Sequence, residues 1–289
     1  MALAALASAV RRSDHRAIAF AHLDEPPLHI SFVSDEAKQG FCAQLGEGEG
    51  APVCLPPATL GLAHGGAVTH LPDYDRGTWW VQDVAASLPV RLFGEYKGKT
   101  MVDLCAAPGG KTAQLLSSGA QVIAVDKSPR RLTLLKDNLA RLRLHAEVVC
   151  ADARVFTLQK KADAVLVDAP CSATGILRRH PDVAWQRTEV DIARLTTVQQ
   201  QLIDHAATLL KPGGELVYAV CSLAEEEGEA QVRDFLATHP DFQRTPLTPQ
   251  ELGGQALYVS AAGDVRTLPC NMTERGGMDG FYAARIVRT

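Results

Sequence analysis

Beyond residue 99 the chain alternates short apolar runs with longer amphipathic stretches. Residues 100–104 are mostly apolar and end at a Pro-Gly-Gly turn, which predicts a buried strand. Residues 121–126, 147–150, 163–168 and 215–220 repeat that pattern, and 280–287 predict a last strand. Leu132, Leu135, Leu139 and Leu142 recur at spacings of three and four, the signature of one apolar helix face. Further helices are predicted over 189–210, ahead of Lys211-Pro212-Gly213-Gly214, and over 224–238. Strands alternating with helices imply right-handed crossovers and a mainly parallel α/β sheet covered on both faces. Residues 1–78 read as a smaller α/β extension, loop-rich where Gly and Pro cluster over 46–66, and 79–289 as the main domain. The Ala-rich residues 1–10 run straight into Arg11 and Arg12 with no basic segment ahead of them, so they predict a helix rather than a cleaved leader.

Composition narrows the class. Of 289 residues, 46% are hydrophobic and 21% charged, which excludes a disordered tail, a fibre and a disulfide miniprotein. No apolar run approaches the ~18 residues of a membrane span. With 29 Lys and Arg against 33 Asp and Glu, the net charge is −4, so any nucleic-acid site must be a local patch. The seven cysteines are scattered and form no C-x-x-C pair, which argues against a metal site and for reduced thiols in a cytoplasmic protein. The chain is read as a monomer.

Candidate chemistry begins at Cys105-Ala106-Ala107-Pro108-Gly109-Gly110-Lys111-Thr112, directly after the first strand of the main domain. In a doubly wound sheet, ligands bind outside the carboxyl ends of the strands. Glycines there admit a close ligand, and amides at the following helix start donate to it. A phosphate-binding Walker loop would need Gly in place of Cys105, and a G-x-G-x-x-G fingerprint does not fit at all. Asp126 ends the next strand, where a carboxylate accepts from both ribose hydroxyls, and Asp152 follows the third, within reach of an adenine amino group. Either aspartate alone reads as a helix cap. In order behind this turn they favour S-adenosylmethionine, which has a ribose and an adenine but no phosphate.

Asp168-Ala169-Pro170-Cys171-Ser172 and Ala219-Val220-Cys221-Ser222 place two cysteines at two strand ends. Singly, a cysteine is more often an inert small hydrophobe. Arg178-Arg179-His180, just beyond the first, is the best local basic patch and the candidate RNA contact, with its arginines at phosphates. Arg130, Arg131, Arg141 and Arg143 read mostly as solvated surface. Trp185 is open between base stacking and helix packing.

The segments D-L-C-A-A-P-G-G-K-T, D-A-P-C-S-A-T-G-I-L-R-R-H-P-D and V-C-S-L-A-E-E-E resemble the Sun/Fmu-type, RsmB-like RNA cytosine-5 methyltransferases. Trp79-Trp80-Val81-Gln82-Asp83, Leu209 to Gly214 and Gly277-Met278-Asp279-Gly280-Phe281 fit the same pattern. The resemblance implies a Rossmann-like S-adenosylmethionine-dependent methyltransferase fold with a mainly parallel seven-stranded sheet. It implies methyl transfer to C5 of a cytosine in RNA, most naturally small-subunit ribosomal RNA, with residues 1–78 as an RNA-binding extension. Cys221 is then the nucleophile that adds to C6, and Cys171 helps release the product. Asp168 lies at the cytosine edge or the cofactor, while Cys105 to Lys111, Asp126 and Asp152 bind the cofactor. Lys111 is a candidate cation for lowering the Cys221 pKa. The chain departs from the family in carrying Ala219-Val220 where Ser-Thr often precedes the nucleophile. A helical RNA-binding domain is also expected upstream, so the chain reads as a fragment or a short member. Other readings are a transfer RNA enzyme, a DNA enzyme dependent on Cys171, and a silent assembly factor.

Overall fold

The computed structural model describes residues 12–45, 51–63 and 66–289, so the helix expected over 1–10 lies outside the described residues. Helix α1 (Arg12–Ala21) leads into a four-stranded antiparallel sheet in the order β2-β3-β1-β4. Its strands are β1 (Leu28–Phe32), β2 (Val53–Leu55), β3 (Thr59–Leu62) and β4 (Trp79–Val81). Helix α2 (Asp35–Leu45) contributes Phe41 to a core with Ile30, Leu60, Leu62 and Trp79. The small sheet therefore takes its last strand from beyond residue 78, through pairing of Phe32 with Trp79 and Ile30 with Val81.

After α3 (Val84–Arg91), the main sheet forms from β5 (Thr100–Leu104), β6 (Gln121–Asp126), β7 (Glu147–Cys150) and β8 (Ala162–Asp168). These alternate with α4 (Gly110–Ser117), α5 (Pro129–Leu142), the single turn α6 (Val183–Gln186) and the long α7 (Glu189–Leu209). Then follow β9 (Leu210–Val220), α8 (Glu229–Thr238), β10 (Phe242–Arg244), β11 (Val265–Thr267) and β12 (Phe281–Arg288). The order is β10-β12-β9-β8-β5-β6-β7, seven strands, with β11 added as an eighth along β12. Strands β5 to β9 pair in parallel and β12 runs antiparallel to β9.

Successive residues of a strand face opposite sides of a sheet, and here both sides are buried. Leu166, Val217 and Ala219 pack toward Leu88 of α3 and Leu115 of α4, whereas Val165, Val167 and Tyr218 pack toward Leu202 and Ile203 of α7. Helix α5 behaves as its leucine spacing predicts. Ser128 caps it by accepting from Arg131 N, Pro129 occupies its first turn, and Leu132, Leu135, Leu139 and Leu142 are all buried. The helix expected over 224–238 starts later, because Gly228 separates a single turn at Glu225–Glu227 from α8.

Truncation of Leu135 tests this packing. Leu135→Ala should lower unfolding stability by roughly 2–5 kcal/mol in urea titrations, and a loss below 1 kcal/mol would contradict the buried position.

Candidate active site

Strand β5 ends in a tight turn. Cys105 takes a φ of 63° and Gly109 a φ of 104°, a left-handed conformation that glycine adopts without strain. Ala107 N donates to Asp126 Oδ2 (3.3 Å) and Gly109 N to the Ala106 carbonyl (2.9 Å). Ala106 and Ala107 are buried against Leu132 and Leu135, so this part of the turn packs on α5. Thr112 Oγ1 donates to Asp103 Oδ2 at 2.6 Å, and burial pushes the Asp103 carboxyl up to about 7. Lys111 Nζ donates to Asp168 Oδ2 at 2.8 Å and lies over the Phe281 ring, so its nearest charged partner is Asp168 rather than Cys221.

A cavity of about 240 Å³ opens at these strand ends. Cys105, Asp126, Asp152, Asp168, Cys171 and Cys221 all line it, joined by Arg131 and Arg154. Residues 106–111 lie beside the cavity rather than on its wall. Burial first, and then the charges of Asp168, Asp126 and Asp103, raise the Cys105 thiol to about 12, which leaves it an inert wall group. Both aspartates expected at a ribose and an adenine already have partners. Arg131 sits 3.0 Å from Asp126 and also donates to the Ala107 carbonyl. Arg154 grips Asp152 through its side chain and its backbone N–H, holding that carboxyl down at about 2. Arg131 is thus not plain surface. Two acidic acceptors on neighbouring strand ends suit a ligand rich in hydroxyl and amino donors.

The two cysteines come together. Cys171 Sγ and Cys221 Sγ are 3.5 Å apart. The Cys221 hydrogen bond first, then burial, then the charges of Cys221 and Glu227 push the Cys171 thiol well above its ordinary range. The loops carrying them are bonded to each other: Ala169 N to the Ala219 carbonyl (2.9 Å), Gly175 N to the Cys221 carbonyl (3.0 Å) and Leu223 N to Thr174 Oγ1 (2.9 Å). A Cβ on Gly175 would stand 2.0 Å from the Gly280 carbonyl oxygen, so no other residue fits there.

Arg178 and Arg179 turn inward. Asp83 Oδ2 accepts from Arg179 at 2.8 Å and lies 2.8 Å from His29 Nδ1 and 3.8 Å from Arg178. Asp279 takes the Nε of both arginines at 3.1 Å. Burial would raise Asp83, but His29, Arg179 and Arg178 outweigh it and hold its carboxyl below the usual range. Asp279 goes the other way: burial and the neighbouring Asp83 charge lift it to about 7. The phosphate contacts expected of these two arginines are therefore corrected to an internal role. They clip the Cys171 loop to the small sheet and to the segment before β12. His180 remains exposed, and Trp185 is 90% exposed, so helix packing is not its role. Among the described residues no cluster of His, Cys, Asp and Glu could hold a metal ion, and no helix is long and apolar enough to cross a membrane.

A model of the 16S rRNA methyltransferase RsmB/F family matches residues 92–287. The chain belongs to that family. It is 41% identical over 227 residues to ribosomal RNA small subunit methyltransferase B of Erwinia tasmaniensis, covering 77% of this chain and 50% of that protein. The Vibrio cholerae protein of the same name is 41% identical over 222 residues, covering 75% and 48%. This RsmB/F-family chain thus spans about half the length of the curated relatives it matches. Two solved structures from Pyrococcus horikoshii share the fold. A methyltransferase homologue has a TM-score of 0.78 at 24% identity over 96% of this chain and 91% of its own. NSun6 with SFG has 0.82 at 19% identity, over 99% and 97%. The expected Rossmann-like methyltransferase fold is the one present.

Several partners in this RsmB/F-family site escape a reading of the sequence. Asp83 and Asp279 belong to the Trp79–Asp83 and Gly277–Phe281 segments, whose pattern gives them no role, and Arg131 and Arg154 are placed by the turns before α5 and after β7. Arg141 was read as surface, yet it packs over Tyr74 and donates to the Trp79 carbonyl at 3.0 Å. Glu227 is fully buried behind Cys171.

Two outcomes follow for the clip and for Asp103. Removing one cation of the clip by Arg179→Ala leaves Asp83 and Asp279 short of a partner, and should cost stability at the lower end of roughly 3–5 kcal/mol in urea melts. Asp103 has a folded pKa above its unfolded value. Its contribution to stability is complete below its ordinary 3.8 and is lost as pH rises through about 7. Asp103→Asn should flatten the fall of the urea midpoint over that window, whereas equal slopes would count against a protonated Asp103.

Proposed function

We propose that the chain transfers the methyl group of S-adenosylmethionine to C5 of a cytosine in small-subunit ribosomal RNA, through a transient bond between Cys221 and C6. The observation that carries this reading is the pair of thiols 3.5 Å apart on the wall shared with Asp126 and Asp152. Family membership and the relatives' names support ribosomal RNA as substrate, in the cytoplasm. S-adenosylmethionine, when bound, supplies an electrophilic methyl group. Asp126 and Asp152 suit its ribose hydroxyls and adenine amino group.

The protein's part in the chemistry is to activate a carbon that is a poor nucleophile. Cys221 Sγ adds to C6, and the ring electrons shift so that C5 attacks the methyl carbon. Loss of the C5 proton then restores the double bond and expels Cys221. Asp168, oriented by Lys111, faces the cavity where the cytosine N3 and N4 edge would be steadied as charge builds on the ring. Cys171 acts at release. Its raised pKa keeps it protonated in the resting site, and the nucleophile's role at Cys221 rests on the family resemblance.

The test uses the 289-residue chain, radiolabelled S-adenosylmethionine and undermethylated small-subunit RNA. Wild type should label the RNA, Cys221→Ala should drop to background, and Cys171→Ala should leave a protein–RNA adduct that survives denaturation. Label that persists without Cys221 would overturn the nucleophile, and absence of label with wild type would overturn the enzyme reading for this chain.

A further inference from the structure

Glu227 is a fully buried acidic group beside the Cys171 loop that the chemistry above does not use. It follows β9 on the single turn Glu225–Glu227. Both of its carboxylate oxygens accept from Ser172 N, at 2.9 and 3.2 Å. It also accepts from Ser172 Oγ and from Gln199 Nε2 of α7 at 3.0 Å. Every partner is a donor, the arrangement an ionised carboxylate takes. No ion pair to it is formed among the described residues, and dehydrating a carboxylate with neutral donors alone is costly. Ser172 Oγ in turn lies 3.2 Å from Ser222 Oγ, which accepts from Ala224 N at 3.0 Å. The chain of contacts therefore runs from Glu227 through the residue after Cys171 to the residue after Cys221.

We propose that Glu227 is a positioning residue for release of the methylated product: it latches the Cys171 loop through Ser172 and sets a fixed negative charge behind Cys171. The proposal rests on the roles given to the two cysteines above. In the release step the C5 proton passes to water, and the C5–H electron pair forms the C5–C6 double bond. The C6–S bond breaks, and Cys221 leaves with its electron pair. The Cys171 S–H, 3.5 Å from that sulfur, is placed to donate to the departing thiolate. The nearby negative charge keeps Cys171 protonated and non-nucleophilic in the resting site, while the latch through Ser172 holds its S–H against the departing sulfur. Around Cys171 the facing titratable groups are Cys221 and Tyr218 from β9 and Glu227 from the turn beyond it. From α7 comes only the neutral Gln199 amide. Asp168, paired with Lys111, the Asp126–Arg131 and Asp152–Arg154 pairs and Lys127 carry the other charges at the same cavity.

Two readouts separate this role from plain scaffolding, on Glu227→Gln, Glu227→Asp and Ser172→Ala chains. The first is the pH dependence of iodoacetamide labelling at Cys171 in the free enzyme, resolved by peptide mass. Glu227→Gln should move the midpoint down by about one pH unit, equivalent to about tenfold faster labelling below it. Glu227→Asp should restore it, and Ser172→Ala, which keeps the charge, should leave it unmoved. The second is the lifetime of the protein–RNA adduct, which should lengthen in Ser172→Ala, where the latch is weakened and the charge kept. A wild-type labelling midpoint in Glu227→Gln, together with a wild-type adduct lifetime in Ser172→Ala, would overturn the proposal. So would parallel losses of melting temperature and activity with an unmoved labelling midpoint. If Glu227→Gln does not fold, an unchanged adduct lifetime in Ser172→Ala overturns it, and a lengthened one supports it. The labelling arm needs no RNA, so it still reads Glu227 if the methyl-transfer reading fails.

Discussion

The candidate site depends on the bonding between two loops that leave adjacent parallel strands at the same height. Asp168 of β8 stands opposite Ala219 of β9, so the chains beyond them emerge side by side. Each loop supplies donors that satisfy the other's carbonyls and hydroxyls. Their close approach is possible because Gly175 lets three segments meet within the space of one side chain. Backbone hydrogen bonds thus fix where the two cysteines stand, and their side chains bring the sulfurs to 3.5 Å.

Around this centre the protein buries charge to an unusual degree. Asp83, Asp279, Arg178 and Arg179 are largely withdrawn from water, and His29 adds a further polar group. Such a cluster adds little net stability over apolar packing, but it is intolerant of losing one member. It contributes geometry. One network joins the small sheet, the Cys171 loop and the segment before β12.

What was legible in the sequence follows from the range of the physics involved. Strands β5 to β8 and helix α5 were visible because burial on two faces or one stripe imposes a short period on neighbouring residues. The turn at 105–112 and both cysteines were visible because a site at strand ends needs small residues and nucleophiles in fixed order. The partners of Arg178 and Arg179 were not visible. Asp83 lies 96 residues from Arg179 and Asp279 lies 100, and no local pattern marks a pairing over that separation. Their position beside the thiol made them look like a surface patch, whereas the fold turned them inward. Glu227 was hidden for another reason: the helix predicted over 224–238 gives its three consecutive glutamates no separate roles, and only the register of their turn against Ser172 buries the third.

Arg131 and Arg154 give the cavity a further property. Because Asp126 and Asp152 are neutralised within the protein, filling the cavity is an exchange of partners and not the quenching of bare charge. Ligand hydroxyls and amines compete with guanidinium groups already seated, so affinity measures a small difference between two good arrangements. Selectivity then comes from shape and donor placement, and a simple cation gains little foothold there.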